Sequence, residues 1–273
     1  VVASIVVNVA MGATGLTAVL EEMAPTLLGE PVGATERIRA RLVGQARQSF
    51  TGVTAMAIGT VENALLDAKA KELGVPCVDL LGGAIREEIP VYWSHCGTYR
   101  ISRPEWYEPI ETLEDVTALG EEVRNSQFSA LKTNVFDFSG GEPAYWAPGF
   151  GRPFHPSLTI EDEQIRELRR YLEALREGTG PDVDVLLDLN YNAKPEGYIR
   201  ILRELADFDL LWVEIDSPNA AALADVRRES PHPVASCEAL VPHEAFVPYL
   251  EERAMDVVIV DALWNGVFQS TKI

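Results

Sequence analysis

A chain of 273 residues, 47% hydrophobic and 24% charged, is long enough for a barrel-sized core and a smaller domain beside it. Its 42 acidic residues against 23 basic ones give a net charge of −19, which argues against nucleic acid and anionic membrane as partners. No apolar run reaches membrane-spanning length, the first residues lack the basic start of a signal peptide, and the widely spaced Cys77, Cys96 and Cys237 form no C-x-x-C pair; a reducing cytoplasm is expected.

In chain order, Val1-Val-Ala-Ser-Ile-Val-Val-Asn-Val9 reads as a strand. Residues 16–28 have helical spacing, with Leu16, Val19, Leu20, Met23 and Leu27 on one side. Residues 35–47 read as a second helix with Ile38 and Leu42 inward, and 53–73 as a third that Gly74 stops. A small domain over residues 1–85 accounts for these elements. Ile89 to His95 reads as a first barrel strand, 110–126 as an amphipathic helix, and Phe128 to Asn134 as a second strand. Alternation puts Ala130, Lys132 and Asn134 on one face and Leu131 and Thr133 on the other. The aromatic, Gly- and Pro-rich stretch 136–158 is long for a compact domain and is expected to act as a lid. A helix over 159–176 opens with Thr159-Ile-Glu-Asp162, close to a capping box.

Four apolar runs of strand length then end in carboxylates: Asp188, Glu214, Glu238 and Asp261. Helical stretches at 195–206, 220–229 and 243–252 separate them, the pattern of buried parallel strands in repeated β/α units. On the two-residue strand period Asp188 shares a face with Asn190, and Glu214 with Trp212 and Asp216. The opposite face carries Leu187, Leu189 and Val213, suited to an outer helix layer, and Cys237 is read as a small buried hydrophobe. In a β/α barrel the inward strand ends converge at the C-terminal mouth, so three or four carboxylates would share one volume. Like charges held together repel, and a hard cation with oxygen ligands resolves the conflict; Mg²⁺ fits single carboxylates from three strands better than Zn²⁺ does. Only six strands are countable, and closing an eight-stranded barrel takes roughly two more β/α units, so further chain is expected outside this sequence.

The run from Ala57 to Pro76, Ala-Ile-Gly-Thr-Val-Glu-Asn-Ala-Leu-Leu-Asp-Ala-Lys-Ala-Lys-Glu-Leu-Gly-Val-Pro, followed by Leu80-Leu-Gly-Gly83, resembles the end of the capping domain of the enolase superfamily. Lys132-Thr-Asn134, Asp188-Leu-Asn190, Trp212-Val-Glu214, Ser236-Cys-Glu238 and Val260-Asp261 resemble the barrel motifs of its mandelate racemase subgroup. The resemblance implies an α/β fold: a modified TIM barrel, (β/α)₇β, over residues 86–273, here incomplete, with an α+β capping domain over 1–85. It implies Mg²⁺ held by Asp188, Glu214 and Glu238, with Asp261 orienting a His on the seventh strand.

The shared chemistry of that family is abstraction of the proton α to a carboxylate, giving an enediolate, with Lys132 adding positive charge where negative charge develops. Many subgroup members have a second Lys where this chain has Asn134, which disfavours a two-base racemase and is more similar to sugar-acid dehydratases. Some of those carry a His where this chain has Asn190. Asn134, Asn190 and His95 are expected to face substrate, while His155, His232 and His243 are read as loop or helix-start residues. The reaction this implies is dehydration of an aldonate or aldarate to a 2-keto-3-deoxy acid. A racemase or epimerase of a hydroxy acid and a non-catalytic metal-binding homologue are the alternatives. The resemblance further implies a small-molecule carboxylate as the partner and a homo-oligomeric assembly.

Overall fold

Amphipathic spacing sets the first two helices of the computed structural model, which describes residues 13–102, 104–141, 143–145 and 160–273, and the third is buried on every side from Ala57 to Asn63. The helices are α1 (Ala13–Leu27), α2 (Thr35–Gln45) and α3 (Gly52–Leu73). They bury Leu16, Met23, Ile38, Leu42, Ala57, Ile58 and Val61 in one apolar cluster. Each of the larger of these side chains contributes roughly 1.5–3 kcal/mol when removed from water, one part of what opposes the cost of ordering three helices. Gly74 ends α3 with φ 68°, and a short 3₁₀ turn, Cys77–Leu81, follows. The strand expected over Val1–Val9 lies outside the described residues.

The chain divides into two compact units, one of residues 1–88, 237–248 and 259–273, the other of 89–236 and 249–258. The second unit is built on a parallel sheet. After α4 (Thr98–Ser102) and α5 (Leu113–Arg124) come β1 (Ala130–Thr133) and a small antiparallel pair, β2 (Phe136–Asp137) and β3 (Ala144–Tyr145). Then α6 (Asp162–Thr179), β4 (Asp184–Asp188), α7 (Pro195–Glu204), β5 (Leu210–Glu214), α8 (Ala220–Glu229) and β6 (Val234–Ser236) alternate. A 3₁₀ turn His243–Phe246, α9 (Val247–Glu251), β7 (Val257–Val258), α10 (Ala262–Asn265) and α11 (Val267–Ser270) complete the chain. The sheet order is β1-β4-β5-β6-β7, with every pairing parallel. That is the arrangement expected of consecutive β/α units. Leu131, Leu187, Leu189 and Val213 are fully buried, as are Leu172 and Leu175 of α6. Among the described residues no helix is long and apolar enough to cross a membrane.

Several elements differ from the sequence reading. The strand expected over Ile89–His95 is reduced to one parallel bridge, Trp93 to Leu131, held by Trp93 N donating to Ala130 O and Lys132 N to Trp93 O, both 2.9 Å. Ile89 and Val91 stay exposed, so no burial holds this stretch against β1. Helix α5 starts later than expected because Thr112 and Asp115 close a capping box, Thr112 Oγ1 accepting from Asp115 N at 3.2 Å. Helix α6 starts at Asp162 and runs on to Thr179; its capping box is Glu161 with Gln164, and Thr159 lies outside the described residues. The stretch 243–252 splits into a 3₁₀ turn and a short helix.

The outer face of β1 is fastened by Thr133, whose hydroxyl lies 2.6 Å from Tyr171 Oη and donates to Cys96 O at 3.2 Å. Thr133→Val keeps the shape and leaves the buried Tyr171 hydroxyl without that partner, an expected loss of about 1–3 kcal/mol. Urea unfolding monitored by tryptophan fluorescence measures it. Lys132 projects from the other face of the same strand, so this fastening also fixes the candidate site.

Candidate active site

Strands β4 and β5 place Asp188 and Glu214 directly beside each other in register, as the last residues of two adjacent parallel strands. Both carboxylates are buried, as is Lys132 on β1. The Lys132 ammonium donates to Glu214 Oε2 at 2.7 Å and lies 3.6 Å from Asp188 Oδ2. One buried cation therefore offsets two buried anions, and the group carries one net negative charge. Strand alternation produces this meeting: Lys132 lies in register with Leu186 of β4, and each acid follows at the C-terminal end of its strand.

The electrostatics follow from the geometry. Burial alone drives the Lys132 pKa down, but the charges of Glu214 and Asp188 and the Glu214 hydrogen bond outweigh it, so the pKa is raised and Lys132 is charged. Its ammonium also lies 5.9 Å from the centre of the Tyr92 ring, and that ring meets Trp212 edge-on at 5.8 Å. Tyr92 was not singled out in the sequence. Its place follows once Trp93 is paired with Leu131, because the residue before Trp93 then faces the Lys132 side.

Asp188 Oδ1 accepts from both the backbone N of Asn190 (2.9 Å) and its Nδ2 (2.8 Å). Asn190 adopts φ 47° to make this turn, and Tyr198 Oη donates to its carbonyl at 2.6 Å. Asn134 is buried and neutral: its Oδ1 accepts from Thr98 Oγ1 at 2.9 Å and its Nδ2 donates to Asn190 Oδ1 at 3.4 Å. The structure thus brings Lys132, Asn134, Asp188, Asn190 and Glu214 together as two hydrogen-bonded sets, Lys132 with Glu214 and Asn134 with Asn190 and Asp188, joined by the ion pair of Lys132 with Asp188. His95 leaves the strand alternation with φ 51° and stays partly open to solvent beside Tyr99. Its pKa is lowered, first by burial of the ring and then by the Lys132 charge, against the pull of Asp188.

Glu238 and Asp261 belong to the other compact unit. Glu238 follows the end of β6 by two residues and is half-buried. Asp261 caps α10, its Oδ1 accepting from Leu263 N at 2.8 Å and Trp264 N at 3.1 Å. Asp184 is exposed, whereas Asp216 is buried. His232, read as a loop residue, is buried with Nε2 2.9 Å from Leu205 O; His155 lies outside the described residues. Among the described residues no three His, Cys, Asp or Glu side chains are gathered closely enough to hold a metal ion. The oxygen-only donor pair Asp188 and Glu214, buried with a net negative charge beside Lys132, nevertheless suits a hard divalent cation.

Comparison with known proteins decides the family. Residues 115–273, more than half the chain, match the enolase C-terminal domain-like model, and residues 5–82 match the mandelate racemase/muconate lactonizing enzyme N-terminal domain. The chain belongs to the enolase superfamily. Within it, this mandelate racemase/muconate lactonizing enzyme-like member is 30% identical over 217 residues to a D-galactonate dehydratase family member of Streptomyces bingchenggensis (strain BCW-1), covering 79% of this chain and 52% of that protein. It is 26% identical over 262 residues to the D-xylonate dehydratase of Haloferax volcanii, covering 94% and 59%. A crystal structure of a Burkholderia xenovorans strain LB400 protein, provisionally named an L-alanine-DL-glutamate epimerase and bound to magnesium and fumarate, superposes with a TM-score of 0.93 at 52% identity, covering 96% of this chain and 66% of that one. This superfamily member thus spans roughly half to two thirds of the length of these relatives.

Proposed function

We propose that this chain carries much of the active site of a Mg²⁺-dependent enzyme that removes the proton α to a carboxylate, and that its reaction is dehydration of a sugar acid. The observation that carries the reading is the buried triplet in which the Lys132 ammonium lies 2.7 Å from Glu214 and 3.6 Å from Asp188. A carbon acid is very weak, so the charge that develops on the substrate carboxylate oxygens has to be met by fixed positive charge in a site shielded from water. Mg²⁺, when bound, would supply a Lewis acid for that carboxylate. Asp188, Glu214 and, on the sequence motif, Glu238 are the proposed ligands. Asn190 keeps Asp188 turned in place, and Lys132 adds a positive charge aimed at the same oxygens.

Asn134 supports dehydration over two-base racemisation. A neutral amide already bonded to Thr98 and Asn190 cannot take a proton from the face that Lys132 serves, so a two-base exchange lacks its second base and the α-proton would leave toward a base elsewhere. The names of the curated relatives, a D-galactonate dehydratase family member, a D-mannonate dehydratase and a D-xylonate dehydratase, point the same way. A second reading, epimerisation of a carboxylate substrate, is favoured by the 52% identity to the provisionally named epimerase. We further propose residues 1–85 and 86–273 as capping and barrel domains, a cytoplasmic location and a homo-oligomeric assembly.

The test is a screen of the intact protein against aldonic and aldaric acids and dipeptides, with Mg²⁺ and with EDTA. Dehydration is expected to give 2-keto-3-deoxy acids, read by semicarbazide absorbance, only with Mg²⁺. Deuterium entering the α-position from D₂O without loss of water would establish the epimerase reading instead. Metal-independent turnover would refute both.

A further inference from the structure

Helix α3 buries three polar side chains; Thr60 bonds back to Met56 O of the same helix, while Glu62 and Asn63 meet the segment 261–272 of the same compact unit. Asn63 Nδ2 donates to Ala262 O at 3.0 Å and Leu263 O at 3.4 Å, while its Oδ1 accepts from Val267 N at 2.7 Å. Glu62 Oε1 accepts from Gln269 N at 3.0 Å and Oε2 from Gln269 Nε2 at 2.9 Å. The approach is close enough to exclude side chains at two positions. A Cβ on Gly59 would stand 2.3 Å from Trp264 O, and one on Gly266, where φ is 88°, 2.4 Å from Glu62 Oε1.

This segment cannot hold its own shape. Helices α10 and α11 have four residues each, far below the length at which a helix persists alone, whereas α3 has 22. The long helix supplies fixed partners to the short ones. The fastening extends further through buried Asn265, whose Nδ2 donates to Leu240 O at 3.0 Å and to Asp261 O at 3.2 Å. Leu240 N in turn closes a turn onto Cys237 O at 3.0 Å, around Glu238. A continuous hydrogen-bonded path therefore runs from α3 to the two loops that carry Glu238 and Asp261.

We propose that Glu62, Asn63 and Asn265 are positioning residues that set the two acids Glu238 and Asp261 from the capping helix. The inference rests on the reading of Glu238 as a metal ligand. Groups that orient ligands are worth about 10–100-fold in metal affinity when removed. In the intact protein, Asn63→Leu is expected to weaken Mg²⁺ binding by about 10-fold or more in calorimetry. In the same variant, without Mg²⁺, amide exchange of Leu240, Val267 and Gln269 rises while that of Val213 and Ile215 in the sheet is unchanged. Leu42→Ala is the control: it opens the apolar cluster of the same helices but removes none of the hydrogen bonds of this path, and Mg²⁺ affinity is expected to stay within about 2-fold, below the scale of a lost orienting group. Should Asn63→Leu fail to fold, Gln269→Met removes the Nε2 donor that Glu62 and Glu36 of α2 share, and the acceptor of Lys272, and carries the same expectations. Equal loss of affinity in the control, or unchanged affinity and exchange in Asn63→Leu, would overturn the proposal. Unchanged Mg²⁺ affinity in Glu238→Gln would overturn the ligand reading itself, and the exchange data would then report on the fastening alone.

Discussion

Lys132→Met is expected to destabilise the protein by about 3–5 kcal/mol when measured in EDTA and to lower turnover by about 10²-fold or more. The size of the first effect comes from burial. An exposed ion pair contributes about 0–1 kcal/mol, but Lys132, Asp188 and Glu214 are all buried, and losing the ammonium leaves two anions side by side at the ends of β4 and β5. Methionine fills the alkyl volume, so the loss reports charge rather than a cavity. Adding Mg²⁺ is expected to recover part of the lost stability by binding the folded state. Urea unfolding with and without Mg²⁺, beside steady-state rates, separates the two effects. A normal rate would remove Lys132 from the chemistry, and an unchanged unfolding midpoint would contradict its role as the internal counter-ion.

The parts of this site that were legible in the sequence are those governed by local periodicity. Apolar runs ending at Asp188 and Glu214 mark strands, and the two-residue period puts Lys132 and Asn134 on one face and Leu131 and Thr133 on the other. The structure keeps both. What escaped reading depends on contacts between distant residues or on backbone departures from the regular pattern. The Lys132 to Glu214 bond spans 82 positions and the Gln269 to Glu62 bond 207, and no local pattern encodes either. His95 turns through positive φ outside any strand, so alternation could not say where its side chain goes, whereas Asn190, also at positive φ, still meets Asp188 as the alternation reads. Ile89–His95 shows the limit from the other side: its apolar composition reads as strand, but Ile89 and Val91 stay exposed and only a bridge forms at Trp93.

One physical theme links the two units. In each, an ionisable or amide side chain is buried where it meets the loose end of another element: Lys132 between two strand ends, and Glu62 and Asn63 against two four-residue helices. Buried polar groups of this kind are costly unless satisfied, so they hold geometry more sharply than apolar packing does.

Glu214→Gln is expected to abolish Mg²⁺ binding in calorimetry and to take turnover to background, with a smaller loss of stability than Lys132→Met. The order of the two stabilities follows from charge. Removing Lys132 leaves two buried anions and no cation, whereas the Gln variant leaves one cation and one anion, Lys132 and Asp188, 3.6 Å apart. A hard divalent ion binds through charged oxygens, and an amide oxygen in place of one of them removes most of the attraction in a buried site. A purely structural ion pair would give the same order of stabilities, so stability alone does not decide between the readings. The metal titration does: a Gln variant that binds Mg²⁺ as tightly as the parent would leave Glu214 as Lys132's counter-ion and nothing more.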